Sequence, residues 1–252
     1  MIPYRDENET FRSPVVTFLL IGVNAAAWFF VQGAGLSDMT LAASVCNLGL
    51  IPGELTLRAT PGDGFAMGRG LACLVDPGRA PEHLLTSMFL HGSWGHIVGN
   101  MWFLWLFGNN VEDSMGRGRF VIFYLVGGLA AAMAQVLTQP DSIVPMVGAS
   151  GAIGAVMGAY IVLYPRVRVY TIVPIGFYIT TIPLPAWAML GYWAALQLFG
   201  VLGAGESGVA FWAHVGGFIA GAALIKLFAR PDYIARHRAH HWRPRREGFR
   251  RR

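Results

Sequence analysis

Charge is what this chain has least of. Only 13% of its 252 residues are charged against 54% hydrophobic, and the mean hydropathy is +0.48, which excludes an ordinary soluble domain and marks a polytopic membrane protein. A cleavable signal peptide is not legible either: Met1 to Ser13 is polar and holds Asp6, Glu7 and Glu9, where such a peptide is basic with a short apolar core. No Asp or Glu falls in the middle of an apolar segment, so no acid stands ready to complete a catalytic triad. The H-E-x-x-H pattern is absent and His91 and His96 do not share a helical face, which argues against zinc; no cofactor is expected. The G-x-S-x-G elbow of soluble hydrolases fails at its fifth position, Ala152, and no strand and helix alternation surrounds it.

Positive charge is scarce except in one place. Nine arginines fall between Arg230 and Arg252, so the net charge of +5 is local in origin. A basic run beside a final apolar segment reads as an anchor at anionic lipid, and nucleic acid is not expected as a partner.

What the chain has is a series of apolar runs. Spans read at about residues 15–31, 84–107, 120–137, 150–164, 183–202 and 209–228, most near the roughly 20 residues that cross a bilayer core. They predict an all-α polytopic bundle of six spans over residues 15–229, between an N-terminal segment 1–14 and a basic tail 230–252. The long connection from Gln32 to Glu82 carries short apolar runs and reads as a structured loop on the membrane face. The β-branched run Val169 to Ile182, cut by Pro174, is expected at the interface. Arginine placement puts both termini in the cytoplasm and the long loop on the opposite side.

The fourth run is short and opens on a small-residue turn, Val147 to Ala152, which presents Ser150. A serine attacks poorly unless a base takes its proton, and the sixth run holds a histidine at depth, His214. Gly154 and Gly158 repeat at helical spacing after Ser150, and Gly217 and Gly221 after His214, with Gly148 and Gly151 flanking the serine. Two such faces permit the close backbone approach that a direct serine to imidazole hydrogen bond needs. The same glycines fit plain helix packing around a structural serine. His96 and Asn100 share a face of the second run and, with the Ser150 amide at a helix N-terminus, would supply donors to an oxyanion. Asn100 alone also reads as helix-to-helix glue, and His91, on another face, as structural.

Taken together these residues resemble the rhomboid family of intramembrane serine proteases over nearly the whole chain. The family's H-x-x-x-N stands at His96 to Asn100, its G-x-S-G at Gly148 to Gly151, and its A-H-x-x-G-x-x-x-G at Ala213, His214, Gly217 and Gly221. The resemblance implies an endopeptidase of the bacterial inner membrane that cuts single-span or membrane-anchored proteins. It implies Ser150 as nucleophile, His214 as base, and His96, Asn100 and the Ser150 amide as oxyanion donors, in a cavity open to extracytoplasmic water. Two positions depart from the pattern: Leu57 precedes Arg58 where many relatives have Trp-Arg, and Gly154 stands where some have an aromatic that supports the base. Phe211 or Trp212 is expected to steady His214 instead. The rival readings are a relative that binds membrane clients without cutting them, against which Ser150 and His214 count, and a transporter, which lacks the expected paired interrupted spans. Cys46 and Cys73 both lie in the long loop, where a disulfide and two buried thiols are equal alternatives.

Overall fold

Proline, glycine and a few side-chain caps decide where the helices of this chain begin and end. The computed structural model describes residues 1–68, 70–78, 80–203 and 209–235. Strand β1 (Ile2–Asp6) leads through Pro14 into α1 (Val15–Ala26), which ends in a π-helical turn, Ala27–Val31. The long connection then folds into α2 (Asp38–Leu48), α3 (Pro52–Thr56), the hairpin of β2 (Gly64–Gly68) and β3 (Leu71–Leu74), and the short α4 (His83–Thr86). Helices α5 (Trp94–Met115) and α6 (Arg117–Thr138) follow, parted by Gly116 at φ 84°. Next come α7 (Ser150–Leu163), strands β4 (Arg168–Ile175) and β5 (Tyr178–Pro185), α8 (Ala186–Gly203) and α9 (Phe211–Phe228).

The chain is mostly helical. Among the described residues α6, α8 and α9 are long and apolar enough to cross a membrane, and Val15–Val31 and Ser150–Leu163 are shorter apolar helical stretches beside them. Helix α7 is the axis of the core: its residues Gly151 to Tyr160 are all buried, packed among Phe107, Phe123, Tyr124 and Leu190 of its neighbours.

Three expectations need correction. The fold is not all-α, because β1, β4 and β5 form an antiparallel sheet in the order β1-β4-β5 and β2-β3 form a second. The run Val169 to Ile182 is β-branched enough to pair with itself around Gly176, at φ 59°, and it recruits the N-terminal residues as a third strand. The second apolar segment is displaced: Ser93 caps α5 by accepting the His96 N–H at 3.2 Å, so residues before it form α4, a 3-10 turn and an extended link. Nor does α5 stop at Phe107. It runs on to Met115, because two acids beyond the expected end, Glu112 and Asp113, are buried and accept backbone amides at and just before the start of α1. Glu112 accepts the N–H groups of Val16 and Thr17 at 3.1 and 2.8 Å, and Asp113 accepts that of Phe11 at 2.6 Å. Carboxylates at a helix N-terminus satisfy amides that have no intrahelical partner and oppose the positive end of the dipole. The tail arginines from Arg236 to Arg252 lie outside the described residues.

The connection between α1 and α5 is braced at several points. Gln32 donates to the His91 carbonyl at 2.7 Å and accepts the His91 N–H at 2.8 Å. Leu50 and Met146 exchange backbone bonds at 3.0 and 2.7 Å, which ties this connection to the turn before α7. Cys46 of α2 and Cys73 of β3 are joined as a disulfide, with Cα atoms 5.3 Å apart. Closing a loop of that length stabilises the fold by about 3–4 kcal/mol in the chain-entropy model. Denaturation in an alkylating reagent is expected to give two cysteine adducts only after reduction; two adducts beforehand would rule the bond out.

At the far end of the bundle from Ser150, Asp6 accepts hydrogen bonds from the Tyr160 hydroxyl and, at 2.9 Å, the Asn110 amide. Burial raises its carboxyl from 3.8 to about 7, against the opposing pull of the Tyr160 bond and nearby Arg5. The protonated form is thus the one the fold favours. This contribution is complete below the ordinary carboxylate range and is lost as pH rises toward about 7. The thermal midpoint in detergent is expected to fall across that window in the wild type and to change less in Asp6→Asn, whose amide oxygen can still accept from Tyr160. Equal slopes would contradict this account.

Candidate active site

The first residue of α7 is Ser150, and the fourth of α9 is His214. The two helices pack with their backbones in contact. A Cβ built on Gly158 would land on the Phe218 carbonyl, one on Gly217 on the Gly151 carbonyl, and one on Gly221 on the Ala155 carbonyl. Gly151 faces Ala131 of α6 with the same lack of room. With the helices this close, Ser150 Oγ lies 2.8 Å from His214 Nε2.

The other ring nitrogen settles which way that bond runs. His214 Nδ1 lies 2.8 Å from Gln197 Oε1, on α8, while Gln197 Nε2 donates to the Trp193 carbonyl at 3.3 Å. An amide oxygen only accepts, so Nδ1 carries the proton and Nε2 presents its lone pair to the Ser150 hydroxyl. That is the tautomer a general base needs. Rings of Trp193 and Phe211 flank the imidazole, with centroids at 6.0 and 6.3 Å. Phe211 is one of the two aromatics proposed from the sequence; the ring seen opposite is Trp193 and not Trp212. The absence of an aromatic at Gly154 also has a steric reason, since a Cβ there would already sit 3.1 Å from the His214 carbonyl oxygen.

His96 is fixed in the same manner. The Gly92 N–H donates to His96 Nδ1 at 3.3 Å, so the neutral ring carries its proton on Nε2 and offers it to the cavity. A Cβ on Gly148 would fall 2.8 Å from His96 Nε2 and 3.4 Å from Ser150 Oγ, so the space beside Gly148 lies between that ring nitrogen and the serine hydroxyl. Gly148 has φ 132°, and its N–H is held by the Ser87 carbonyl at 2.8 Å. Asn100 lines the same cavity, and its buried amide nitrogen has no hydrogen-bond partner among the described residues. His91 is fully buried with its ring edge-on to His96 at 5.1 Å, apart from the cavity.

The cavity itself holds about 660 Å³; Ser150, His214, His96, Asn100, Gln197, Ser87 and Asp38 line it along with many apolar residues. The arrangement brings together a serine hydroxyl, an imidazole nitrogen aimed at it, an amide that orients that imidazole, and N–H groups beside the hydroxyl. Sequence reasoning missed Gln197 because it looked for an acid. The signal was a lone amide in the apolar run of α8, where a polar side chain needs a partner. Gln135 is a second such case: from α6 it accepts the Ala213 N–H at 3.3 Å and braces the start of α9.

The comparisons agree with this architecture. A family description, Rhomboid domain, matches residues 80–231, more than half of the chain, and the protein belongs to the rhomboid family. It is 28% identical over 214 residues to RHOMBOID-like protein 12, mitochondrial, of Arabidopsis thaliana, covering 78% of this chain and 60% of that one. Rhomboid protease GluP of Bacillus subtilis is 39% identical over 85 residues, 33% of this chain and 16% of that protein. Rhomboid protein 1, mitochondrial, of Saccharomyces cerevisiae is 26% identical over 138 residues, 51% of this chain and 40% of the relative. The chain therefore spans less than two thirds of the length of each of these relatives. They include mitochondrial proteins as well as a bacterial one and so lend no support to a bacterial inner membrane in particular; what stands is a membrane-embedded protein.

Two substitutions probe the geometry. Gly221→Val is expected to push α7 from α9, costing about 1–3 kcal/mol of stability by overpacking and lengthening the Ser150 to His214 contact. Gln197→Leu should leave the free energy of unfolding within about 1 kcal/mol of wild type yet slow any reaction at Ser150 at least roughly tenfold, since His214 loses its tautomer support. Unchanged reactivity in Gln197→Leu would contradict the orienting role.

Proposed function

We propose that this protein is an intramembrane serine endopeptidase that cuts membrane-anchored protein substrates in or near a transmembrane segment. The observation that carries the reading is the 2.8 Å contact of Ser150 Oγ with a His214 whose Nδ1 proton is held by Gln197. In the reaction the Ser150 proton passes to His214 Nε2 as Oγ adds to the scissile carbonyl. His96 Nε2–H, the Asn100 amide and the Ser150 N–H receive the oxyanion, and His214 then protonates the leaving amine. Water, activated by the same base, releases the acyl group from Ser150.

In this reading α1, α5, α6, α7, α8 and α9 are the six spans, both termini are cytoplasmic, and the cavity opens to the opposite side. The basic tail lies against anionic lipid. Soluble proteins are poor substrates, because the scissile bond must reach a serine recessed among helices.

Purified protein incubated with a single-span substrate tests the proposal. Wild type is expected to cut it, Ser150→Ala and His214→Ala to abolish cutting while staying folded, and Asn100→Ala to slow turnover by up to about 10²–10³. Cleavage at the wild-type rate in Ser150→Ala would overturn the reading, and binding of the span without cleavage by wild type would favour a client-binding role.

A further inference from the structure

The hairpin of β4 and β5 changes character along its length. At its root the side chains are charged and partnered: Arg168 lies 3.8 Å from Glu7, the Tyr170 hydroxyl donates to Glu7 at 2.7 Å, and the Arg5 guanidinium sits over the Tyr170 ring at 4.5 Å. Beyond the root charge stops, since no acidic, basic or histidine residue occurs from Val169 to Gly203. The tip is bare apolar surface: Phe177 is fully exposed, and Tyr178 and Ile179 are 81% and 79% exposed. The strand beside β4 shows which way the hairpin points. Asp6 of β1 meets Asn110 of α5 and the Pro3 carbonyl accepts the Trp102 Nε1–H at 2.6 Å, so β1 follows α5 between two residues about 12 Å apart on its axis. Trp102 is the one nearer His96 on that helix. Because β4 is antiparallel to β1, with Val169 opposite Asp6 and Ile172 opposite Ile2, the hairpin rises beside the bundle and does not hang below it. Past that pairing it leaves the helices, and residues 176–181 are all exposed. Around helices that span a bilayer, the medium at that level is lipid.

We propose that the tip of the β4-β5 hairpin is a lipid anchor, with Phe177, Tyr178 and Ile179 inserted into the leaflet on the side away from Ser150, at the boundary of headgroups and acyl chains. Two opposing demands set the depth. Apolar side chains this exposed gain free energy on leaving water. Against that, β5 is an outer strand among the described residues, and the backbone N–H and C=O groups of an open edge do not enter hydrocarbon. A depth of roughly 5–10 Å meets both, because the apolar side chains reach the acyl chains while the edge stays among lipid esters and water. Tyr178, Thr180 and Thr181 carry hydroxyls suited to that boundary. The anchor also holds the foot of α8, since β5 runs straight into Ala186, whose N–H is bound by the Val167 carbonyl at 2.8 Å. The proposal rests on α8 being a span and is independent of proteolysis.

The test uses the full chain in lipid nanodiscs holding one copy each, where both faces are open to solutes. Phe177→Cys, Glu9→Cys and Leu198→Cys are labelled separately with the fluorophore NBD; Cys46 and Cys73 are joined to each other and do not take the label. At residue 177 the label is expected to be quenched several-fold more strongly by a lipid carrying a nitroxide high on its acyl chain than by aqueous iodide. Leu198, on the exposed face of α8, should behave alike, and the exposed Glu9 should show the reverse. Stronger quenching by iodide at 177 would overturn the anchor and leave the tip in water, open to a protein partner. A label at 177 that neither agent quenches would place the tip against the protein itself and would overturn it as well. If the lipid quencher reaches 198 but not 177, the anchor alone fails; if it reaches neither, the assignment of α8 as a span fails with it.

Discussion

The structure depends on the backbone contact between α7 and α9. A serine side chain is short and cannot reach a histidine across an ordinary helix-to-helix distance. The net worth of one hydrogen bond, about 1 kcal/mol, is too little to draw two helices together against their side chains. Packing must do it first, and the glycines at 151, 154, 158, 217 and 221 are where a Cβ would meet the other helix or its neighbour. Once the helices touch, the hydroxyl to imidazole bond follows from where the two residues sit along them.

The rest of the molecule holds that crossing at both ends. Near Ser150, Gln135 from α6 and Gln197 from α8 grip the start of α9 and the imidazole, while the bridge between Leu50 and Met146 steadies the turn that delivers the serine. At the other end, Asp6 ties the N-terminal strand to α5 and α7, and Glu112 and Asp113 cap α1 and the chain just before it. In a bundle surrounded by lipid, apolar contact between helices gives little driving force, so such polar clasps and small-residue faces carry more of the specificity than they would in a soluble core.

Much of this could be read from the residues. That Ser150, His214, His96 and Asn100 belong together was legible because a serine in a glycine-rich turn and histidines in apolar runs each call for a chemical explanation, and the four do line one cavity. The glycine faces were legible from their spacing. The N-terminal strand was not, since its partner β4 lies more than 160 residues away and a short polar segment carries no period of its own. The continuation of α5 through Glu112 and Asp113 was not legible because charge normally ends a span; what overrides it here is the demand of amides at the start of a different helix. Gln197 was not legible as a partner of His214 because a neutral amide in an apolar helix does not announce which neighbour it faces, whereas its oxygen fixes the tautomer of His214 in the folded chain.

The central claim is that His214 makes Ser150 a nucleophile. The most direct measurement is mass-spectrometric mapping of the residue modified by a serine-directed fluorophosphonate. The account predicts slow labelling of the peptide that contains Ser150, and loss of that labelling in His214→Ala. An adduct on Ser87, Ser93 or Ser142 instead, or full labelling of Ser150 without His214, would contradict it.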